Sequence, residues 1–278
     1  MELYSIPTGI FKLYGGSMFG VVPKSIWNKI NPADANNMCT WAMRCLLIQE
    51  GNRLVLIDNG IGNKQDAKFM GHYYLHGEDT LDKSLARHGF HRNDITDVFL
   101  THLHFDHCGG SIEKEGDLLV PAFKNATFWS NERHWKWAVE PNAREKASFL
   151  KENILPIQES GQLKFIETHA NDFPSFIRVR QVFGHTDAMM LPQVTYKGRE
   201  VLFMADLLPS AGHIPLPYVM AYDMFPLTTL NEKKSFLTEA MENDYILFLE
   251  HDHETECCTL QSTEKGIRLK EGFPLDAV

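Results

Sequence analysis

The chain has 278 residues, 44% of them hydrophobic and 23% charged, ordinary proportions for a folded protein. Disordered, collagen-like and fibrous classes are excluded, and no apolar run approaches the roughly 18 residues of a membrane-helix candidate. The formal charge of −9, with no Lys/Arg cluster, argues against nucleic acid as a partner, because phosphate contacts supply most of that affinity; a small anionic substrate stays admissible.

No long linker or low-complexity stretch breaks the chain, so one domain over 1–278 is expected. The N-terminal sequence has no basic region leading into a long apolar run and reads as no secretory signal. The five cysteines, Cys39, Cys45, Cys108, Cys257 and Cys258, form no even framework. Both features predict a reducing compartment, hence the cytoplasm. Residues 46–49 and 54–58 are apolar runs joined by Glu50-Gly51-Asn52, a hairpin signal. Residues 79–88 have helical spacing, with Gly89 just past the end. Residues 97–101 form a short buried strand that runs directly into His102-Leu103-His104-Phe105-Asp106-His107-Cys108-Gly109-Gly110. The aromatic cluster of Trp129, Trp135 and Trp137 suits either core and a helix face or one wall of an apolar substrate pocket.

The second half repeats the pattern. A strand over 177–183 ends at Gly184-His185, and a hairpin over 191–196 and 200–205 turns at Lys197-Gly198 and ends at Asp206. A helix is predicted over 231–243, then a strand over 245–250 ending at His251, then a last hairpin over 258–262 and 266–269. Strands interleaved with helices predict an α/β fold of sheets covered by helices.

His102, His104, Asp106 and His107 carry the chemistry. Four ligand-type residues within six positions, directly after a buried strand, are a strong metal signal. His102 and His104 alternate as in an extended segment, so both rings can face one side. Asp106 and His107 follow where the chain turns and offer an oxygen and a nitrogen to a second ion. Gly109-Gly110 permits a tight turn and a close approach behind the site. Four groups cannot saturate two ions, so further ligands are expected at other strand ends: His185, Asp206 and His251.

The run from Thr101 to Gly110 resembles the metal-binding signature of the metallo-β-lactamase superfamily. Gly184-His185-Thr186, Ala205-Asp206 and Glu250-His251-Asp252 match its later stations in order, and Ile57-Asp58-Asn59-Gly60 resembles its early strand-end motif. The likeness runs from about residue 40 to 255 and implies a four-layer αβ/βα sandwich. It also implies two divalent ions, zinc first, with iron, cobalt or manganese as the other choices. His102, His104 and His185 would hold one, Asp106, His107 and His251 the other, and Asp206 would bridge them. The bridging carboxylate resembles the lactonase, glyoxalase II and phosphotriesterase-like branches rather than true β-lactamases.

Two such ions can share a water and lower its pKa toward about 7, so no Ser or Cys nucleophile is required. Asp106 would orient that nucleophile. The expected reaction is hydrolysis of a small ester-like substrate, a lactone of the N-acyl-homoserine type, with an aryl ester or phosphotriester as the alternative. A thioesterase of the glyoxalase II kind and a redox enzyme on the same fold rank below these. The chain lacks a basic glutathione-binding tail, and flavin-linked diiron members place Glu where His104 stands. Lactonases of the branch carry Tyr three residues after the bridging Asp; here that position is Pro209. His213, in a Pro-rich loop, is the expected replacement donor to substrate, since imidazole can donate from either nitrogen. A small-molecule substrate and no membrane partner are expected, and a homodimer is admissible.

Overall fold

The computed structural model describes residues 1–278. The chain divides into two compact units that interleave along the sequence. The first comprises Met1–Gly9, Met43–His72 and Gly77–Ile177, and the second Ile10–Ala42, Tyr73–His76 and Arg178–Val278.

The strands run in chain order β1 (Glu2–Tyr14), β2 (Met38–Glu50), β3 (Arg53–Ile57), β4 (Asp97–Phe99), β5 (Ile112–Glu115), β6 (Leu118–Pro121), β7 (Thr127–Ser130) and β8 (Leu163–Phe165). One six-stranded sheet has the order β1-β2-β3-β4-β7-β8, while β5 and β6 pair as a separate hairpin. β2 and β3 are antiparallel around Gly51, whose φ of 58° is left-handed. From β3 onward the sheet is parallel. Parallel strands covered on both faces read as continuous apolar runs, and Leu54–Ile57, Val98-Phe99 and Phe128-Trp129 fit this.

The helix Leu81–Arg87 starts at Thr80, whose hydroxyl accepts from the Lys83 amide at 3.3 Å. Its Leu81 and Leu85 join Leu47, Leu56, Val98 and Phe128 in the first unit's core, with Trp135, Ile154 and Ile157 from two later helices. Burial of each such Leu or Ile contributes roughly 1.5–3 kcal/mol.

The second unit holds β9 (Arg178–Val182), β10 (Met189–Tyr196), β11 (Arg199–Phe203), β12 (Ile246–Phe248), β13 (Cys257–Thr263) and β14 (Gly266–Phe273). They form a six-stranded sheet in reverse chain order. Lys197 and Gly198 are both left-handed, φ 48° and 80°, as a two-residue hairpin turn requires. β11 and β12 are parallel; β9 and β10 are antiparallel, as are β10 and β11. β9, β11 and β12 therefore all run the same way, and all three end on one edge of this sheet.

The helix Pro226–Glu242 buries Phe236, Leu237 and Ala240 and packs on β13. It begins five residues before the predicted 231. Pro226 occupies a first-turn position, where its missing N–H costs nothing. The polar pair Thr228-Thr229 had masked this turn in the apolar spacing.

Candidate metal centre

In the first unit, β3 delivers Asp58 and β4 delivers Thr101 and His102. Asp58 is fully buried and left-handed at φ 55°, a strained conformation for a residue with a side chain. Its carboxylate accepts the Thr101 amide at 2.8 Å and the Thr101 hydroxyl at 2.7 Å, and lies 3.0 Å from His107 Nδ1. Thr101 spends its proton on Asp58, so its oxygen accepts from His102 Nδ1 at 3.0 Å. His104 Nε2 lies 3.0 Å from the Glu145 carboxylate. A carboxylate accepts only, so the His104 proton sits on Nε2.

The outcome is a pair of lone pairs, on His102 Nε2 and His104 Nδ1, facing each other at 3.1 Å. A metal ion between them would take both lone pairs at once. Two donors at about 2.0–2.1 Å from a tetrahedral zinc stand about 3.3 Å apart, close to the observed spacing. Asp106 and His107 lie on the short helix Phe105–Cys108, with Asp106 Oδ2 4.0 Å from His107 Nε2.

Behind this helix the backbone packs closely. A Cβ on Gly109 would lie 2.1 Å from the Ile61 carbonyl oxygen, and one on Gly110 2.3 Å from that of Asn59. Glycine is required at both positions.

In the second unit, β9, β11 and β12 lead to His185, Asp206 and His251. Asp206 follows Ala205, left-handed at φ 40°. Its Oδ2 lies 3.1 Å from His185 Nε2 and its Oδ1 3.1 Å from His251 Nε2, so one carboxylate stands between two imidazoles. The far nitrogens are held by acceptors: His185 Nδ1 by Asp223 at 2.8 Å and His251 Nδ1 by the Ala42 carbonyl at 2.8 Å. Burial pushes the His185 ring toward neutrality, but Asp206 and Asp223 on its two sides reverse this and raise its pKa to about 10. The surroundings thus favour positive charge at Nε2, which a metal ion satisfies as well as a proton. Ligating imidazoles whose other nitrogen bonds a carboxylate or carbonyl are the usual arrangement in metal sites.

The donor set therefore fits divalent metal in both units. His102 and His104 in the first unit, and His185 and Asp206 in the second, are close enough within their pairs to share one ion. The chemistry available is polarisation of an oxygen-bearing substrate and acidification of water.

Other predicted residues have different roles. The His213 ring is 1% exposed and stacks on Phe19 at 4.6 Å with an interplanar angle of 3°. Its Nε2 donates to the Met18 carbonyl at 2.8 Å and its Nδ1 lies 2.7 Å from Ser210 Oγ. Both nitrogens are used inside the unit, so the expected donation to substrate gives way to a packing role. Burial pushes its pKa down to about 3, which keeps the ring neutral. His213→Ala is expected to lower unfolding stability by about 2–4 kcal/mol in denaturant melts, with turnover at full metal loading within a few-fold of wild type. A hundred-fold loss of kcat/KM at unchanged stability would restore the donor role.

Cys108 is no thiolate: burial pushes it up to about 12, and its S–H donates to the Leu103 carbonyl at 3.3 Å. Trp135 is core, while the indole N–H groups of Trp129 and Trp137 donate to Asp97 and Glu145 at 2.8 and 2.7 Å. Asp223, Glu145 and His134 were not legible as site residues, because each reaches its partner across 31 to 41 positions with no spacing signal.

A family profile described as "Metallo-beta-lactamase superfamily" matches residues 44–251. No curated protein sequence matches the chain. Among solved structures, a probable metal-dependent hydrolase from Staphylococcus aureus is 26% identical, with TM-score 0.88 over 100% of this chain and 98% of that one. AidC, a dizinc quorum-quenching lactonase in complex with a product, is 20% identical, with TM-score 0.79 over 98% and 95%. The hydrolase AbOPH of the beta lactamase superfamily is 20% identical, with TM-score 0.77 over 98% and 94%. The latter two likenesses establish a shared fold. No helix is long and apolar enough to cross a membrane.

Proposed function

The chain belongs to the metallo-beta-lactamase superfamily, and from that premise we propose that it is a hydrolase using two divalent ions on a small ester-like substrate, first a lactone of the N-acyl-homoserine type. The observation that carries the metal reading is the facing pair of imidazole lone pairs on His102 and His104, 3.1 Å apart. We assign His102, His104 and His185 to one ion, Asp106, His107 and His251 to the other, and Asp206 to both.

Ions bound there supply an acidified water and polarisation of the scissile carbonyl or phosphoryl oxygen. The chain's own residues do the rest. Asp106 accepts a proton at its carboxylate oxygen from the attacking water and aims it. Asp206 sets its two imidazole neighbours and cancels positive charge. Asp58, Asp223 and the Ala42 carbonyl hold the far protons of His107, His185 and His251, so that each Nε2 stays directed inward.

The lactone is favoured by AidC and by the likeness to an N-acyl homoserine lactone hydrolase carrying N-hexanoyl-L-homoserine, 20% identical with TM-score 0.68. AbOPH, called only a hydrolase, leaves the ester and phosphotriester reading as the second choice. Zinc-loaded protein assayed on N-acyl-homoserine lactones, aryl esters, phosphotriesters and thioesters decides. We expect the lactones to give the highest kcat/KM. Turnover of thioesters alone, or of none of the four classes, would overturn the reading.

A further inference from the structure

The segment from residue 131 to 149 holds no assigned metal ligand, yet it touches three consecutive residues of the metal motif. The Leu103 amide donates to His134 Nε2 at 2.9 Å, the His104 ring meets Glu145 at 3.0 Å, and the Phe105 amide donates to the Ser148 carbonyl at 2.9 Å. We propose that this segment is a cradle for the His102–His104 pair, and that Glu145 is its positioning residue, selecting the His104 tautomer that leaves Nδ1 as the metal-facing atom. The proposal rests on the reading that His104 ligates an ion.

The geometry requires a carboxylate at 145. Glu145 is 2% exposed, and its carboxylate accepts from His104 Nε2 on Oε1 at 3.0 Å and from Trp137 Nε1 and Asn142 Nδ2 on Oε2 at 2.7 and 3.2 Å. The Glu145 amide also donates to Asn142 Oδ1 at 3.1 Å, which fixes the turn that aims the side chain. A glutamine has one accepting oxygen. If its oxygen faces His104, its NH2 points at the Trp137 and Asn142 donors. If its NH2 faces His104, it donates to Nε2, and the ring proton moves to Nδ1, against His102 Nε2. Either orientation penalises the metal-ready state. His134 acts on the backbone between the two ligands: its Nε2 takes the Leu103 amide, while its own amide donates to Asn131 Oδ1 at 2.7 Å, the cap of the helix Glu132–Val139.

Two readouts test this. In metal-free wild-type protein, long-range ¹H–¹⁵N spectra should show His104 protonated on Nε2; protonation on Nδ1 there would overturn the proposal without any variant. Glu145→Gln should lose that single tautomer and release zinc about 10–100-fold more readily in chelator competition. A folded Glu145→Gln with the wild-type tautomer and zinc affinity would also overturn it, since a purely structural role moves the melting temperature but neither readout. His104→Ala separates the two levels. Zinc affinity unchanged by His104→Ala overturns the ligand assignment, whereas affinity lost in His104→Ala but kept in Glu145→Gln overturns only the positioning role.

Discussion

Asp106→Ala is expected to cut kcat/KM by about a thousand-fold or more on whichever ester the protein prefers. The loss is large because one side chain serves two purposes in the proposed site, as an oxygen ligand and as the acceptor that aims the attacking water. A misplaced general base alone costs about 10²- to 10⁴-fold. Asp106→Asn keeps the shape and one oxygen but not the charge, and is expected to lose nearly as much, since a neutral amide neither balances a cation nor accepts the proton. Asp106 sits on a buried four-residue helix whose Cys108 belongs to the apolar core, but the Asp106 side chain is not one of the core's packed groups, so circular dichroism of both variants should match wild type. Near-normal turnover of Asp106→Ala would refute the mechanism.

Metal removal is expected to have the second large effect, on stability. Without cations, the close nitrogens of His102 and His104, and the Asp206 carboxylate between the Nε2 atoms of His185 and His251, lose the positive charge that would hold them together. An ion bound at a thousand times its dissociation constant contributes about 4 kcal/mol to the folded state. For a chain of this length each kcal/mol moves the melting temperature by about 2 °C, so two ions correspond to about 15 °C. Calorimetry of the chelated protein, repeated after zinc is restored, measures it. A reversible drop of this order is expected, and a shift below about 2 °C would argue against structural coupling between metal and fold.

The candidate metal-binding residues are legible in the sequence because they are dense and because they follow strands. His102 to His107 crowd into six positions after β4, and His185, Asp206 and His251 each stand just past a strand that the apolar runs reveal. Strand direction explains why the latter three reach one edge of their sheet. The residues that bond the far nitrogens of the candidate imidazoles are not legible in the sequence. Glu145 and Asp223 lie 41 and 38 positions from the imidazoles they bond, and neither spacing nor periodicity encodes such a contact. His213 departs from the sequence expectation for the same reason. A histidine in a Pro-rich loop looks available, but its partners Phe19 and Met18 come from about two hundred positions earlier and enclose it. The bounds of strand β1 are not legible in the sequence because Pro7 and Gly9 interrupt its pattern.

The central claim is a two-ion centre built from seven named residues. Its most direct test is a crystal structure of zinc-loaded protein with anomalous data at the metal edge, together with metal analysis of the same sample. The account predicts two ions per chain, with His102, His104 and His185 on one, Asp106, His107 and His251 on the other, and an oxygen of Asp206 on each. A single ion at full loading, or two ions with Asp206 touching neither, would contradict it.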